Sequence, residues 1–162
     1  MIAAGLSVLV LCLGNSDRGD DAVGPAVAEA LAGRLPANVE LRTRSGDMLS
    51  LIEDWAGYDC MICVDAAAPM GKPGRIHRID MRQEELPREM TPVSSHAFGL
   101  GEAFALARVL NLAPASIIVY AVEGQNFEGG MPMTPEVAAA MAPAAQRVAA
   151  EARQLMENAH HA

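Results

Sequence analysis

The chain reads as an α/β protein: a three-layer αβα sandwich around a mostly parallel, roughly five-stranded twisted sheet. Three observations predict this. The runs Val8-Leu-Val-Leu-Cys-Leu13, Cys60-Met-Ile-Cys-Val64 and Ser116-Ile-Ile-Val-Tyr-Ala-Val122 are apolar at nearly every position, as central parallel strands covered on both faces must be. Segments with apolar residues at helical spacing alternate with them. Polar turns follow the apolar runs, where parallel strands open onto a ligand cleft.

In order, residues 6–13 form the first strand and lead into Leu13-Gly-Asn-Ser-Asp-Arg-Gly-Asp-Asp-Ala-Val-Gly24. A helix is expected from Asp20 or Asp21 to Leu35, with Pro25 tolerated in its first turn and Pro36 ending it. Residues 39–43 alternate and read as a second strand nearer an edge. Ser45-Gly46-Asp47 then caps a short helix, 48–55, whose Leu49, Ile52 and Trp55 face inward. Residues 60–64 are the third strand, terminating in Asp65, and residues 75–80 a short fourth.

Residues 81–95 lack periodicity, and long loops in small domains are often functional. A helix follows Ser94-Ser95-His96, with Leu100, Ala103, Phe104, Ala107 and Leu110 as its buried stripe. After the last strand, 116–122, comes a Gly-rich loop, 123–133, holding Glu123, Asn126, Phe127 and Glu128. It reads either as ordinary surface or as a substrate contact, with Phe127 an anchor for a protein partner if exposed. Thr134-Pro135-Glu136 caps the final helix, and Pro143 predicts a kink or two abutting helices.

At 162 residues one domain is expected, spanning 1–158, with 159–162 a frayed tail. A net charge of −8 and no basic cluster argue against nucleic acid as a partner. No apolar stretch is long enough to span a membrane. Residues 1–10 lack the positive start of a signal peptide and continue into the Gly-Asn turn, so they read as strand. Three cysteines, Cys12, Cys60 and Cys63, fit a reducing cytoplasm. Cys60 and Cys63 form a C-x-x-C, but a strand sends positions i and i+3 to opposite faces, so both read as buried small hydrophobes. A monomer in the cytoplasm is the expectation.

Ligands in such sheets bind outside the carboxyl ends of the strands. Asn15 through Asp21, Asp65 and His96 fall there. Two carboxylates and one imidazole suit a divalent transition metal and leave positions open for substrate or water. Each residue alone has a structural reading: Asp20 or Asp21 as a helix cap, favoured for Asp20, Asp65 as an acceptor at a strand end, His96 as a structural histidine.

Leu13-Gly-Asn15 with Gly19-Asp-Asp-Ala-Val-Gly24 resembles the opening signature of the hydrogenase maturation endopeptidases. The resemblance continues through Val64-Asp-Ala66, Ser94-Ser-His-Ala-Phe-Gly-Leu100, Tyr120-Ala-Val-Glu-Gly124 and Met133-Thr-Pro-Glu-Val137, in family order. It implies a protease that removes the C-terminal peptide of the large-subunit precursor of a [NiFe] hydrogenase. By position, it implies that Asp21, Asp65 and His96 contact nickel and are the catalytic set. The nickel is then carried by the precursor and read as a checkpoint, rather than being a resident cofactor. Asp20 becomes a neighbour of the metal contact or a general base, and Asn15 a donor to a carbonyl oxygen or a fixer of the turn. Where some members have a Gly-Gly-Thr-type turn for substrate recognition, this chain has Arg44-Ser-Gly-Asp47, placing Ser45 and Gly46 among the substrate contacts.

Two rivals remain. Peptidyl-tRNA hydrolases also begin with an apolar strand ending in Gly-Asn, but require a His soon after the turn and a basic surface; the first His here is His77. A non-proteolytic metal-delivery or scaffold protein that binds the hydrogenase large subunit would use the same three ligands.

Overall fold

The structure is a computed structural model that describes residues 5–45, 48–85 and 100–160. Its sheet has five strands, β1 (Val8–Leu13), β2 (Val39–Arg44), β3 (Cys60–Ala67), β4 (Ile76–Asp80) and β5 (Ser116–Glu123), in the order β2-β1-β3-β5-β4. All neighbours run parallel except β4, which pairs antiparallel with β5 and closes one edge. The helices are α1 (Val23–Leu31), α2 (Met48–Trp55), α3 (Leu100–Val109) and α4 (Pro135–His160). This is the predicted α/β architecture.

Strand alternation splits the core in two. Val8, Val10, Cys12, Ile62, Val64, Ile118 and Tyr120 pack against α1 and α4. Leu9, Leu11, Leu13, Met61, Cys63 and Val119 pack against α2 and α3, where Trp55 and Phe104 lie with ring centroids 5.0 Å apart. Cys60 belongs to the first cluster and Cys63 to the second, so the C-x-x-C is divided between the two faces of β3. All three cysteines are free and buried, and burial pushes the Cys12 thiol up to about 12. Among the described residues no helix is long and apolar enough to cross a membrane.

Several element boundaries differ from those predicted. The turn Gly19–Ala22 is a separate 3-10 turn, and α1 begins only at Val23. α1 also stops four residues before the predicted Leu35, because Ala32 leaves the helical region with ψ at 123°. α3 ends at Val109, since Asn111 takes a positive φ of 57°, and Leu110 is exposed rather than part of the stripe. α4 is one continuous element through Pro143, not two abutting helices, and it extends to His160, into the predicted tail. The expected cap at Gly46 and Asp47, the side chain of Leu49, and the loop residues from 86 to 99 lie outside the described residues.

Candidate functional site

The turn after β1 is tied at both ends. Gly14 N–H donates to Arg44 O at 3.1 Å, joining the carboxyl ends of β1 and β2. The chain then doubles back so closely that a Cβ on Gly14 would sit 2.0 Å from Asp21 O, and its φ of 141° excludes other residues. Asn15 N–H donates to Asp21 Oδ2 at 2.9 Å, and Asn15 Oδ1 accepts from Asp17 N–H at 2.9 Å. Asn15 therefore fixes the turn, one of its two sequence-based roles, and its main chain aims the Asp21 carboxylate. Asp21 is half-buried, with part of its side chain at the surface.

Asp20 faces the other way. It is fully buried, and Oδ2 accepts from the N–H groups of Gln125 and Asn126 at 2.7 and 2.9 Å. Oδ1 accepts from Thr134 N–H at 2.7 Å and Thr134 Oγ1 at 2.9 Å. The main chain reinforces the tie. Gly19 N–H donates to Met131 O at 2.9 Å, Asp20 N–H to Asn126 O at 2.8 Å, and Gly130 N–H to Asp17 O at 2.7 Å. Asp20 is thus a clasp between the turn and the loop after β5. This corrects the reading of Asp20 as a helix cap, since neither Gly19–Ala22 nor α1 has a side-chain cap. It also leaves no carboxylate edge of Asp20 at the surface to touch substrate or take a proton as general base.

Asp65 lies within β3, not beyond its end, because pairing with β5 continues through Ala67 and Glu123. It is 8% exposed, and Oδ1 accepts from Ala66 N–H at 2.8 Å. Burial, then the charge of Asp21, push its carboxyl well above the usual range, and the Ala66 N–H only partly opposes them. The negative charge of Asp21 thus opposes ionisation of Asp65. A divalent cation between them would relieve that repulsion; without one, the pair favours holding a proton. His96 and Gly46 lie outside the described residues, and Ser45 is exposed just after β2. Among the described residues no group of three His, Cys, Asp or Glu side chains is placed to hold a metal ion.

Two polar residues have partners that no local sequence pattern shows. Thr134, expected as a helix cap and within the Met133–Val137 motif, meets Asp20 across 114 positions of chain. Glu123, expected in the Gly-rich loop as surface or substrate contact, instead ends β5 with a side chain 1% exposed, accepting from Met70 N–H at 2.9 Å and Lys72 N–H at 2.6 Å. A single acid at the end of an apolar run, within the Tyr120–Gly124 motif, is the signal that marks it. Phe127 is no free anchor either: it packs against the core over Gly124.

Fold and site together define an α/β protein with two carboxylates, Asp21 and Asp65, toward the carboxyl ends of the parallel strands of a mostly parallel sheet. The sequence profile described as HycI, hydrogenase maturation protease, matches residues 25–151. The chain is 31% identical over 153 residues to the hydrogenase 2 maturation protease of Escherichia coli K12, covering 92% of each protein. It superimposes on the hydrogenase maturating endopeptidase HybD from E. coli with a TM-score of 0.79 at 29% identity, over 92% of this chain and 93% of that one. The fold is shared with the [NiFe] hydrogenase maturation protease HycI of Thermococcus kodakarensis, at a TM-score of 0.72 and 20% identity over 91% and 92% of the chains. The chain belongs to the hydrogenase maturation protease family.

Proposed function

We propose that the protein is an endopeptidase that removes the C-terminal peptide of the nickel-loaded large-subunit precursor of a [NiFe] hydrogenase. Asp21, Asp65 and His96 are assigned to contact the nickel that the precursor carries. Family membership supports the protease reading. The observation that carries the site is the placement of buried Asp65 on β3 alongside the end of β1, whose following turn holds the Asp21 carboxylate; burial first and the Asp21 charge second push the Asp65 carboxyl upward. Two carboxylates and an imidazole complete the coordination of a thiolate-bound nickel without the softness needed to extract it. The protein then inspects the metal rather than storing it, and does so as a cytoplasmic monomer.

The test mixes the protein with nickel-loaded precursor and reads both masses. A mass loss equal to a C-terminal peptide is expected with the wild type. None is expected with folded Asp21→Ala, Asp65→Ala or His96→Ala, nor with metal-free precursor. Full processing by any one variant removes that residue from the site. Cutting of metal-free precursor at the normal rate removes the nickel checkpoint, and binding without mass loss supports a scaffold instead.

A further inference from the structure

We propose that the outer edge of β2 takes the C-terminal segment of the precursor as an added strand. This rests on the protease reading above and names how that substrate is held. Gly14 N–H bonds to Arg44 O, which sets the phase of the β1–β2 ladder. In a parallel ladder, alternate residues turn their backbone groups to the same neighbour. The backbones of Glu40, Arg42 and Arg44 thus face β1, and those of Leu41 and Thr43 face outward. Among the described residues no strand pairs with that edge. The Thr43 carbonyl accepts from Arg44 Nη1 at 2.9 Å, which leaves, among the described residues, the N–H groups of Leu41 and Thr43 and the Leu41 carbonyl for a partner.

The side chains of β2 are sorted to match. Its charged residues lie on the α2 side: Arg44 bonds Asp54 at 2.9 Å, and Arg42 bonds Tyr58 at 3.0 Å and Glu40 at 2.8 Å. These charges, which on most edge strands deter pairing, are withdrawn from the other face. There Leu41 and Thr43 form one wall of a groove of about 590 Å³, with Pro25, Ala26 and Glu29 of α1 opposite. That volume suits a few peptide side chains. Among the described residues Glu29 is the only charged one in its lining, so the preferred occupant has one basic side chain among apolar ones. The groove reaches Ser16, beside Asn15, whose N–H holds Asp21. An extended peptide on β2 is thereby led to the carboxylate pair. Main-chain bonds would hold it, and alternate side chains in the groove would select it.

Proline at an outward-facing position removes an edge donor without touching the β1–β2 ladder. The experiment measures cleavage of the nickel-loaded large-subunit precursors of the source organism by wild type, Thr43→Pro and Ala26→Trp. The second variant fills the groove from a helix surface and leaves β2 unchanged. Both are expected to keep the wild-type circular dichroism, to raise KM by about tenfold or more, the equivalent of one or two lost hydrogen bonds, and to leave kcat within about twofold. If the wild type cuts and folded Ala26→Trp cuts with unchanged KM, strand addition is wrong and the protease reading stands. If the wild type cuts no precursor, both readings fall.

Discussion

Asp20 and Thr134 meet at both carboxylate oxygens: Oδ1 accepts from the Thr134 N–H at 2.7 Å, and the Thr134 hydroxyl lies 2.9 Å from Oδ1 and 3.0 Å from Oδ2. Oδ2 also accepts from the N–H groups of Gln125 and Asn126. Asp20→Ala would strand three main-chain N–H groups at a buried position, and each bond to a charged acceptor contributes about 1.5–3 kcal/mol. The expected loss is on the order of 3–5 kcal/mol, read as a lower urea midpoint. Asp20→Asn should also destabilise, since an amide has one accepting oxygen where four donors converge. Thr134→Val should lose less, because the main-chain bond survives. An unchanged midpoint for Asp20→Ala would show that the clasp does not hold the loop.

The clasp also marks where sequence reasoning stops. The three central strands were legible because a strand buried on both faces needs no periodicity, only apolar residues between turns. Their ends were not, because a polar residue such as Asp65 or Glu123 looks like the end of a strand. Only the pairing of β3 with β5 carries the ladder through to Ala67 and Glu123. Asp20 and Asp21 are adjacent and chemically identical. What separates them is Thr134, far along the chain, which no local pattern connects to the turn. The roles of His96 and Gly46 rest on the family resemblance and the spacing of the turns.

Asp65 is held at a cost to stability. Its carboxyl is pushed up by burial first and by Asp21 second. A carboxyl raised in the folded state has its stabilising contribution intact below the unfolded value of 3.8 and loses it as pH rises through the folded value. Asp65→Asn keeps the oxygen that accepts from Ala66 and carries no charge. The variant should therefore melt a few degrees above the wild type at neutral pH. The gain should vanish as pH falls toward 3.8, while precursor processing is lost throughout. A variant less stable than wild type at neutral pH would mean that Asp65 serves the fold rather than the site.

Pro143 sits at an exposed position inside the 26-residue helix α4. It has no N–H to give Ala139, and an interior proline is about 3 kcal/mol less favourable than alanine in a helix. Surrounding packing from Ala140, Ala144 and Ala145 keeps the helix continuous regardless. Pro143→Ala should stabilise the protein by about 1–3 kcal/mol in urea unfolding, with precursor processing unchanged. A loss of stability would show that the proline ring is part of the packing of α4 rather than merely tolerated there.

Gly24, in the first turn of α1, lies against the end of β1. A Cβ there would fall 1.9 Å from Leu13 O and 2.8 Å from its carbonyl carbon, so α1 touches the strand backbone through a missing side chain. No rotamer relieves a clash with main chain; the helix or the strand must move. Either movement shifts the turn between them, which carries Asn15 and Asp21, because Asn15 N–H holds Asp21 Oδ2 at 2.9 Å. Gly24→Ala should therefore cost more than the usual 1–3 kcal/mol of overpacking and abolish processing even in molecules that remain folded. Ala26→Ser, on the same helix but partly exposed, provides the comparison and should change stability by less than about 0.5 kcal/mol. Wild-type stability in Gly24→Ala would mean that the helix stands further from β1 than the contact requires, and the aiming of Asp21 would need another cause.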